Sequence, residues 1–327
     1  MMRAAVALGL VACLAALAAA CGAGSGDKRE PADGPTPVLS AAPSSSVTPV
    51  VISSDVVVGP NRFLVGLLGA ENEIITDAQA SFRFFQFIDG EPKLRMESQA
   101  TVIRMTRAIT RDLPNGSRTT EELGETAAYA AELEFSEAGD WGVEVMIRRG
   151  SKNLDPVGAL FTVAETSQSV AVGEPAPKSH QLTLADVANL SEIDTSDPPD
   201  PEWHQMTIAD AVTSGKPVAI AFATPGFCQT QMCAPMTGEL AMLYHEYKNR
   251  VTFIHVEPYD LHKARSGEGL VPVPATSDWG LDTEPWVFVV DAEGRVAAKF
   301  EAFVMMDEVE AAFRRLLGDE PSSEMEG

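Results

Sequence analysis

Cysteine is the residue here whose spacing most directly suggests chemistry. The chain has four cysteines in 327 residues, at positions 13, 21, 228 and 233. Cys13 and Cys21 belong to an apolar N-terminal run, which leaves Cys228 and Cys233 as a pair five residues apart in the body of the chain. A thiolate is a nucleophile and a soft metal ligand, so such a pair can exchange disulfides, hold a soft cation or staple a loop. In one regular helix, residues five apart have Cα atoms roughly 8.7 Å apart. Disulfides rarely tolerate more than about 7 Å. Pro235 changes that geometry, because proline is comfortable only in a helix's first turn. The spacing therefore predicts a helix starting near residues 231–234, with Cys228 in the preceding loop and a disulfide within reach.

The elements that would position this loop alternate between strand and helix. Residues 208–214 read as a short helix and 218–223 as an apolar, buried strand. Residues 236–247 read as a helix with Leu240, Leu243, Tyr244 and Tyr247 on one face, and 251–256 as a strand. Residues 286–290 and 295–300 flank the hairpin signal Asp291-Ala292-Glu293-Gly294, and 309–317 close as a helix. Upstream, short alternating apolar runs at 55–58, 62–68, 78–87, 100–105, 129–135, 141–147 and 159–163 are separated by turn signals such as Asp89-Gly90 and Pro114-Asn115-Gly116. That pattern predicts an all-β sandwich. Ala138-Gly139-Asp140-Trp141 resembles a turn of small extracytoplasmic immunoglobulin-like domains, with Trp141 expected to pack in the core. Residues 181–205 lack lysine and arginine but carry several acids. They read as an exposed acidic excursion with a solvated face.

The N-terminus reads as an export signal. Met1-Met2-Arg3 precedes an unbroken apolar or small-residue run to Ala20, then Cys21-Gly22. Leu17-Ala18-Ala19-Ala20-Cys21 resembles a bacterial lipobox, which implies cleavage before Cys21 and a lipid anchor on its sulfur. The expected organisation is a signal peptide at 1–20, a disordered tether at 21–50, a β-sandwich at 51–166 and an α/β domain at 172–320. The body then sits outside the cytoplasm in the cell envelope, where an even thiol count reads first as a disulfide. A net charge of −23 offers no basic stripe for phosphates and excludes nucleic acid as a partner.

Three further landmarks make the C-terminal half resemble the thioredoxin-like superfamily. Val172-Gly173-Glu174-Pro175-Ala176-Pro177 looks like the opening of extracytoplasmic thioredoxin-like reductases and peroxiredoxins. Phe222-Ala223-Thr224-Pro225-Gly226-Phe227-Cys228 places a cysteine after an aromatic residue at a strand's end. Thr283-Glu284-Pro285-Trp286, leading into the hairpin, looks like the family's cis-proline strand. The resemblance implies a thiol–disulfide oxidoreductase acting on cysteine-containing exported proteins or a membrane redox partner. Cys228 would attack and Cys233 would resolve, with Phe227, Glu284 and Pro285 lining the substrate site and no metal or cofactor required.

Some residues depart from that family. The cysteines are spaced Cys-x4-Cys rather than Cys-x-x-Cys. Ala221 stands where many thioredoxins have a buried aspartate. Glu284 precedes the proline where a neutral residue is usual, and could accept a proton or point to solvent. Three alternatives stay open. Thr230-Gln231-Met232-Cys233 with Pro225 upstream resembles a peroxiredoxin-like peroxidase motif. Two thiolates suit copper handling, although His255 and His262 read as structural or surface residues. A binding or scaffolding lipoprotein would keep the disulfide for stability alone.

Overall fold

The structure is a computed structural model, and it describes residues 46–319. The expected signal peptide, the Cys21 lipid site and the tether up to residue 45 lie outside the described residues, as does the acidic tail from residue 320. No helix among the described residues is long and apolar enough to cross a membrane.

The first half is built of strands: β1 (Val47–Val51), β2 (Gly59–Gly69), β3 (Ala78–Ile88), β4 (Glu91–Gln99), β5 (Thr101–Asp112), β6 (Arg118–Phe135), β7 (Gly139–Arg149), β8 (Lys152–Asn153) and β9 (Val157–Val163). One antiparallel sheet has the order β1-β2-β6-β5. The other runs β4-β3-β7, with β8 and β9 both pairing β7. Their facing sides share a single aromatic core. Phe63 of β2 meets Phe84 of β3 edge-on at 5.2 Å between ring centroids, and Phe135 meets Trp141 at 5.0 Å. Trp141 is buried, and its indole N–H donates to the Glu137 carbonyl, so it is a core residue.

The strands differ from expectation in several places, each for a physical reason. The tether was expected to reach residue 50, but Val47–Val51 pairs with β2 and buries Val47. Residues 55–58 form only one bridge, Val57 to Ala164, because the Asn61 side chain takes both the N–H and the carbonyl of Val57. The sequence reading passed over β4, an exposed, charged edge strand paired to β3 alone. Edge strands need no apolar alternation and often carry charge. β5 and β6 run well past their apolar stretches into a long arm closed around Pro114-Asn115-Gly116.

The second half contains α1 (Ile208–Ala211), β10 (Val218–Phe222), α2 (Cys233–Tyr247), β11 (Thr252–Val256), α3 (Leu261–Ser266), α4 (Pro274–Asp278), β12 (Trp286–Val290), β13 (Val296–Glu301) and α5 (Met306–Leu317). The sheet is mixed, ordered β11-β10-β12-β13, with β10 parallel to β11 and antiparallel to β12. β10 is covered on both faces, so its sequence is a continuous apolar run rather than an alternating one. Ala219, Ala221 and Ala223 join the core containing α2 and α5, while Val218, Ile220 and Phe222 join the core around Trp279. The alanine side chains share that core with Cys233, Met236, Leu240 and Leu243 of α2.

A polar cluster ties the two halves together. Asp55 accepts from the Lys299 ammonium at 2.9 Å and from the hydroxyls of Ser167 and Ser169. Arg62 makes a two-pronged ion pair with Glu308 of α5, at 2.9 and 2.7 Å. Burial alone would raise the Asp55 carboxyl, but the two hydroxyls and the ammonium outweigh it and hold it at about 2. The unfolded chain therefore binds more protons than the native one between about pH 4 and pH 2. Stability from this cluster is present above that window and is lost as pH falls through it. Asp55→Asn is expected to cost about 2 kcal/mol in urea denaturation at neutral pH, the scale of hydrogen bonds to a charged group. It should also flatten stability against pH in that acid window; an unchanged slope would remove the cluster from the acid response.

Candidate functional site

The cysteine loop starts where β10 ends. Residues 223–232 cross the end of the sheet, and α2 begins at Cys233 with Pro235 in its first turn, as the proline requires. Cys228 stays in the loop. Its Cα lies 6.0 Å from that of Cys233, and the two sulfurs form a disulfide. The Cys233 backbone N–H, at the N-terminus of the 15-residue helix, donates to Cys228 Sγ at 3.2 Å. That donor and the positive end of the helix favour negative charge on the Cys228 sulfur.

Glu284 and Pro285 come to the same place from the strand on the other side, joined by a cis peptide bond. The Glu284 carboxylate does not point to solvent: the residue is only 3% exposed. It accepts from the Gln229 N–H at 2.9 Å and from the Tyr259 hydroxyl at 2.6 Å. One of its oxygens and the two sulfurs lie within 4.8 Å of one another. Burial, then the neighbouring Glu284 carboxylate, pushes the Tyr259 phenol up, so Tyr259 stays protonated as a donor. The Thr230 hydroxyl donates to the Glu284 carbonyl at 3.1 Å and lies 3.4 Å from Cys228 Sγ.

Cys228 is the more exposed of the pair, but only slightly, at 5% against 0% for Cys233. Both sulfurs pack in the core of the second half, and the sandwich meets the flanking loop. The arm of β5 and β6 lies along the loop, where Thr110 N–H donates to the Pro225 carbonyl at 3.0 Å and Ala108 N–H to the Gln231 carbonyl at 3.1 Å. Arg107 donates to the Gln231 side chain, and Arg118 to the Ser196 carbonyl. Gln231 is in the left-handed region, φ +63°, which is unusual for a side chain of this type. The arm bonds it through both backbone and side chain. Met232 is buried in a cluster with Leu64, Ile103 and Ala128 of the sandwich. Phe227 is half-buried and lines a cleft of about 310 Å³ between the arm and the loop.

A second ionisable cluster lies under the loop: Asp186, Glu192, Asp197 and Glu202 are exposed, but Asp194 departs from the expected exposed acidic excursion. Asp194 and His204 of that stretch are buried, with Trp203 packed on Tyr244 and Phe253. Asp194 turns inward because His204 and His255 take up its charge. Asp194 Oδ2 lies 3.0 Å from His204 Nε2, and Oδ1 lies 3.6 Å from His255 Nδ1. His255 Nε2 donates to the Ala223 carbonyl at 2.9 Å. Glu257 Oε1 accepts from the Thr195 N–H and hydroxyl, and Thr195 in turn accepts from the Gly226 N–H of the cysteine loop. Burial opposes the Asp194 charge, but His255 and His204 hold its carboxyl well below the usual range. Burial also opposes a charge on His255, yet Asp194 pushes the imidazole up to about 9. Burial pushes His204 down and Glu257 up.

The structure thus brings together Cys228, Cys233, Glu284 and Pro285, with Phe227 at the edge. The Cys21 lipid site lies outside the described residues. Sequence reasoning missed Tyr259, Asp194, His204 and Glu257. One signal was available: His255 in an otherwise apolar strand and Glu257 just past its end stand two apart in extended chain, hence on one face. Ala221, where the resemblance implies an ionisable residue, pairs in register with His255.

No family model matches the chain, and no curated protein matches it. Among solved structures, a proposed thiol:disulfide interchange protein DsbE from Chlorobium tepidum is similar at 18% identity and a TM-score of 0.31. That match covers 46% of this chain and 100% of the other. The functional reading rests on the site's own chemistry.

Proposed function

We propose that this protein is a thioredoxin-like thiol–disulfide oxidoreductase with Cys228 and Cys233 as its redox pair. The observation that supports this best is the setting of Cys228 Sγ. It is paired with Cys233, receives the first N–H of α2, and shares its surroundings with the buried carboxylate of Glu284. In the reduced protein, the Cys228 thiolate attacks one sulfur of a substrate disulfide. A mixed disulfide forms, and the other substrate sulfur leaves as a thiolate. Cys233 then loses its proton to Glu284 and attacks Cys228 Sγ. The second substrate thiolate leaves, two electrons have passed to the substrate, and the Cys228–Cys233 disulfide is restored. The reverse sequence oxidises a substrate dithiol.

A purely structural staple is the competing reading, since both sulfurs are buried. A loop this short gives only about 2 kcal/mol in the chain-entropy account. A carboxylate buried beside the disulfide opposes stability through its desolvation, and a staple has no use for it. An exchange site does, because the resolving thiol must lose a proton.

We further propose export, anchoring through Cys21 and action on cysteine-containing exported proteins or a membrane redox partner. Supporting this are the charged start, apolar run and lipobox-like Leu17–Cys21. The experiment that tests the enzymatic reading is reduction of insulin by dithiothreitol, followed by turbidity. The mature protein should shorten the lag in proportion to its concentration. A lag equal to that with heat-denatured protein would count against it.

A further inference from the structure

We propose that Asp194, His204 and His255 form a binding site for one divalent transition-metal ion, with zinc as the best chemical match. The cluster is separate from the cysteine pair, and this inference does not rest on the exchange reading.

The argument starts from the proton on His255. A carbonyl only accepts, so the 2.9 Å contact with Ala223 places a proton on Nε2. His255 Nδ1 is then turned toward Asp194 Oδ1, and the two are 3.6 Å apart. That separation is too long for a hydrogen bond. In the metal-free site a proton on Nδ1 facing Asp194 fills this gap, and a metal ion would displace it and take the Nδ1 lone pair. Two donors facing one another at that distance are, however, the edge of a coordination polyhedron. With bonds of about 2.0–2.1 Å, the ligands of tetrahedral zinc lie roughly 3.3 Å from one another. The two Asp194 oxygens each face one imidazole at a comparable separation, Oδ2 to His204 at 3.0 Å and Oδ1 to His255 at 3.6 Å. One donor atom from each of the three residues lies within 4.8 Å of the other two.

The surroundings fit the same ion. A metal-bound histidine usually donates its other N–H to a carbonyl or carboxylate, and Ala223 supplies that carbonyl. Glu257 stands two residues beyond His255 on the same face of the chain. Its Oε2 is buried and makes no hydrogen bond of good geometry, with the equally unpaired Thr224 hydroxyl beside it. Asp194 and Glu257 form no ion pair with lysine or arginine among the described residues, and residues 181–215 contain neither. In the metal-free site His255 meets the Asp194 charge. A divalent ion would take over that role with both imidazoles neutral, and Glu257 Oε2 could accept from a metal-bound water. Access is present too: His255 and Glu257 line a cavity of about 570 Å³, with His180, Glu192, Tyr259 and His262 also on its wall. Two imidazoles and a carboxylate are a donor set that zinc takes readily, whereas calcium and magnesium prefer oxygen alone.

The ion would fasten the 194–204 stretch to β11 directly beneath the cysteine loop. The test uses the full mature protein with its disulfide oxidised, so that free thiolates cannot bind metal. After dialysis against a chelator, the protein is loaded with zinc or cobalt(II), desalted and analysed for metal. The expected result is one equivalent retained, visible d–d absorption with cobalt, and a higher Tm with zinc. Isothermal titration of His204→Ala and Asp194→Asn should show affinity lower by about a hundredfold or more, the scale of losing a ligand's support or the ligand itself. His262→Ala on the cavity wall should bind like wild type. No retained metal and no cobalt spectrum in wild type overturns the proposal without recourse to any variant. Equal affinity in wild type and a folded His204→Ala protein overturns the site.

Discussion

Cys228→Ser is expected to lower insulin-reducing activity at least about a thousandfold, and Cys233→Ser to trap a mixed disulfide on Cys228. Removing an attacking nucleophile commonly costs several orders of magnitude, because no neighbouring group replaces it. The asymmetry between the two variants is what identifies the roles. Cys228 receives the N-terminal N–H of α2, while Cys233 lies deeper and is fully buried. Cys233→Ser should therefore still attack a substrate disulfide, but lacks the thiol that releases the product. Mass spectrometry of Cys233→Ser with oxidised insulin chains or oxidised glutathione should show the adduct at Cys228. Adduct on Cys233 in a Cys228→Ser protein, with none in the converse, would reverse the assignment. Adduct on neither would leave the pair as a staple.

Shortening the arm formed by β5 and β6 is expected to speed reduction of the native disulfide by dithiothreitol about a hundredfold. The arm donates Ala108 and Thr110 N–H groups to carbonyls of the cysteine loop, and Arg107 adds a side-chain bond to Gln231, three bonds in all. Hydrogen bonds of this type contribute about 1 kcal/mol each net. Losing about 3 kcal/mol of closure corresponds to roughly two powers of ten in the opening equilibrium. Thr106 and Glu125 face each other in the ladder, so an Asn-Gly turn joining them replaces residues 107–124 with a two-residue hairpin. Stopped-flow reduction compares the two proteins, and circular dichroism checks that the sandwich persists. An unchanged rate would mean that the arm does not gate the sulfurs. On this account the sandwich is more than a spacer, because one of its hairpins closes the site in the neighbouring half.

Much of the cysteine loop was legible in the sequence because its determinants are local. Pro235 limits where α2 can begin, and the apolar run at 218–222 can only be a buried strand once a loop and helix follow it. The hairpin at 291–294 and the turn at Asp89-Gly90 are likewise set by residues that tolerate their backbone angles. The arm was not legible past residue 105. Its polar, exposed residues carry no apolar period, and its partners, Pro225 and Gln231, are more than a hundred residues away. The burial of Asp194 was misread for the same reason. A carboxylate in an acid-rich stretch reads as solvated until His255, 61 positions later, is seen beside it. Glu284 was flagged by its departure from the resembling family, but only the fold shows Tyr259 and Gln229 bonding it inward.

The most direct test of the central claim is equilibration of the native protein in glutathione redox buffers, with the thiol state of Cys228 and Cys233 read by alkylation and mass spectrometry. An exchange pair should titrate reversibly as a single two-electron couple, reaching the same midpoint from the reduced and oxidised sides. A disulfide that stays intact in the folded protein at every ratio, and opens only with denaturant, would contradict the account.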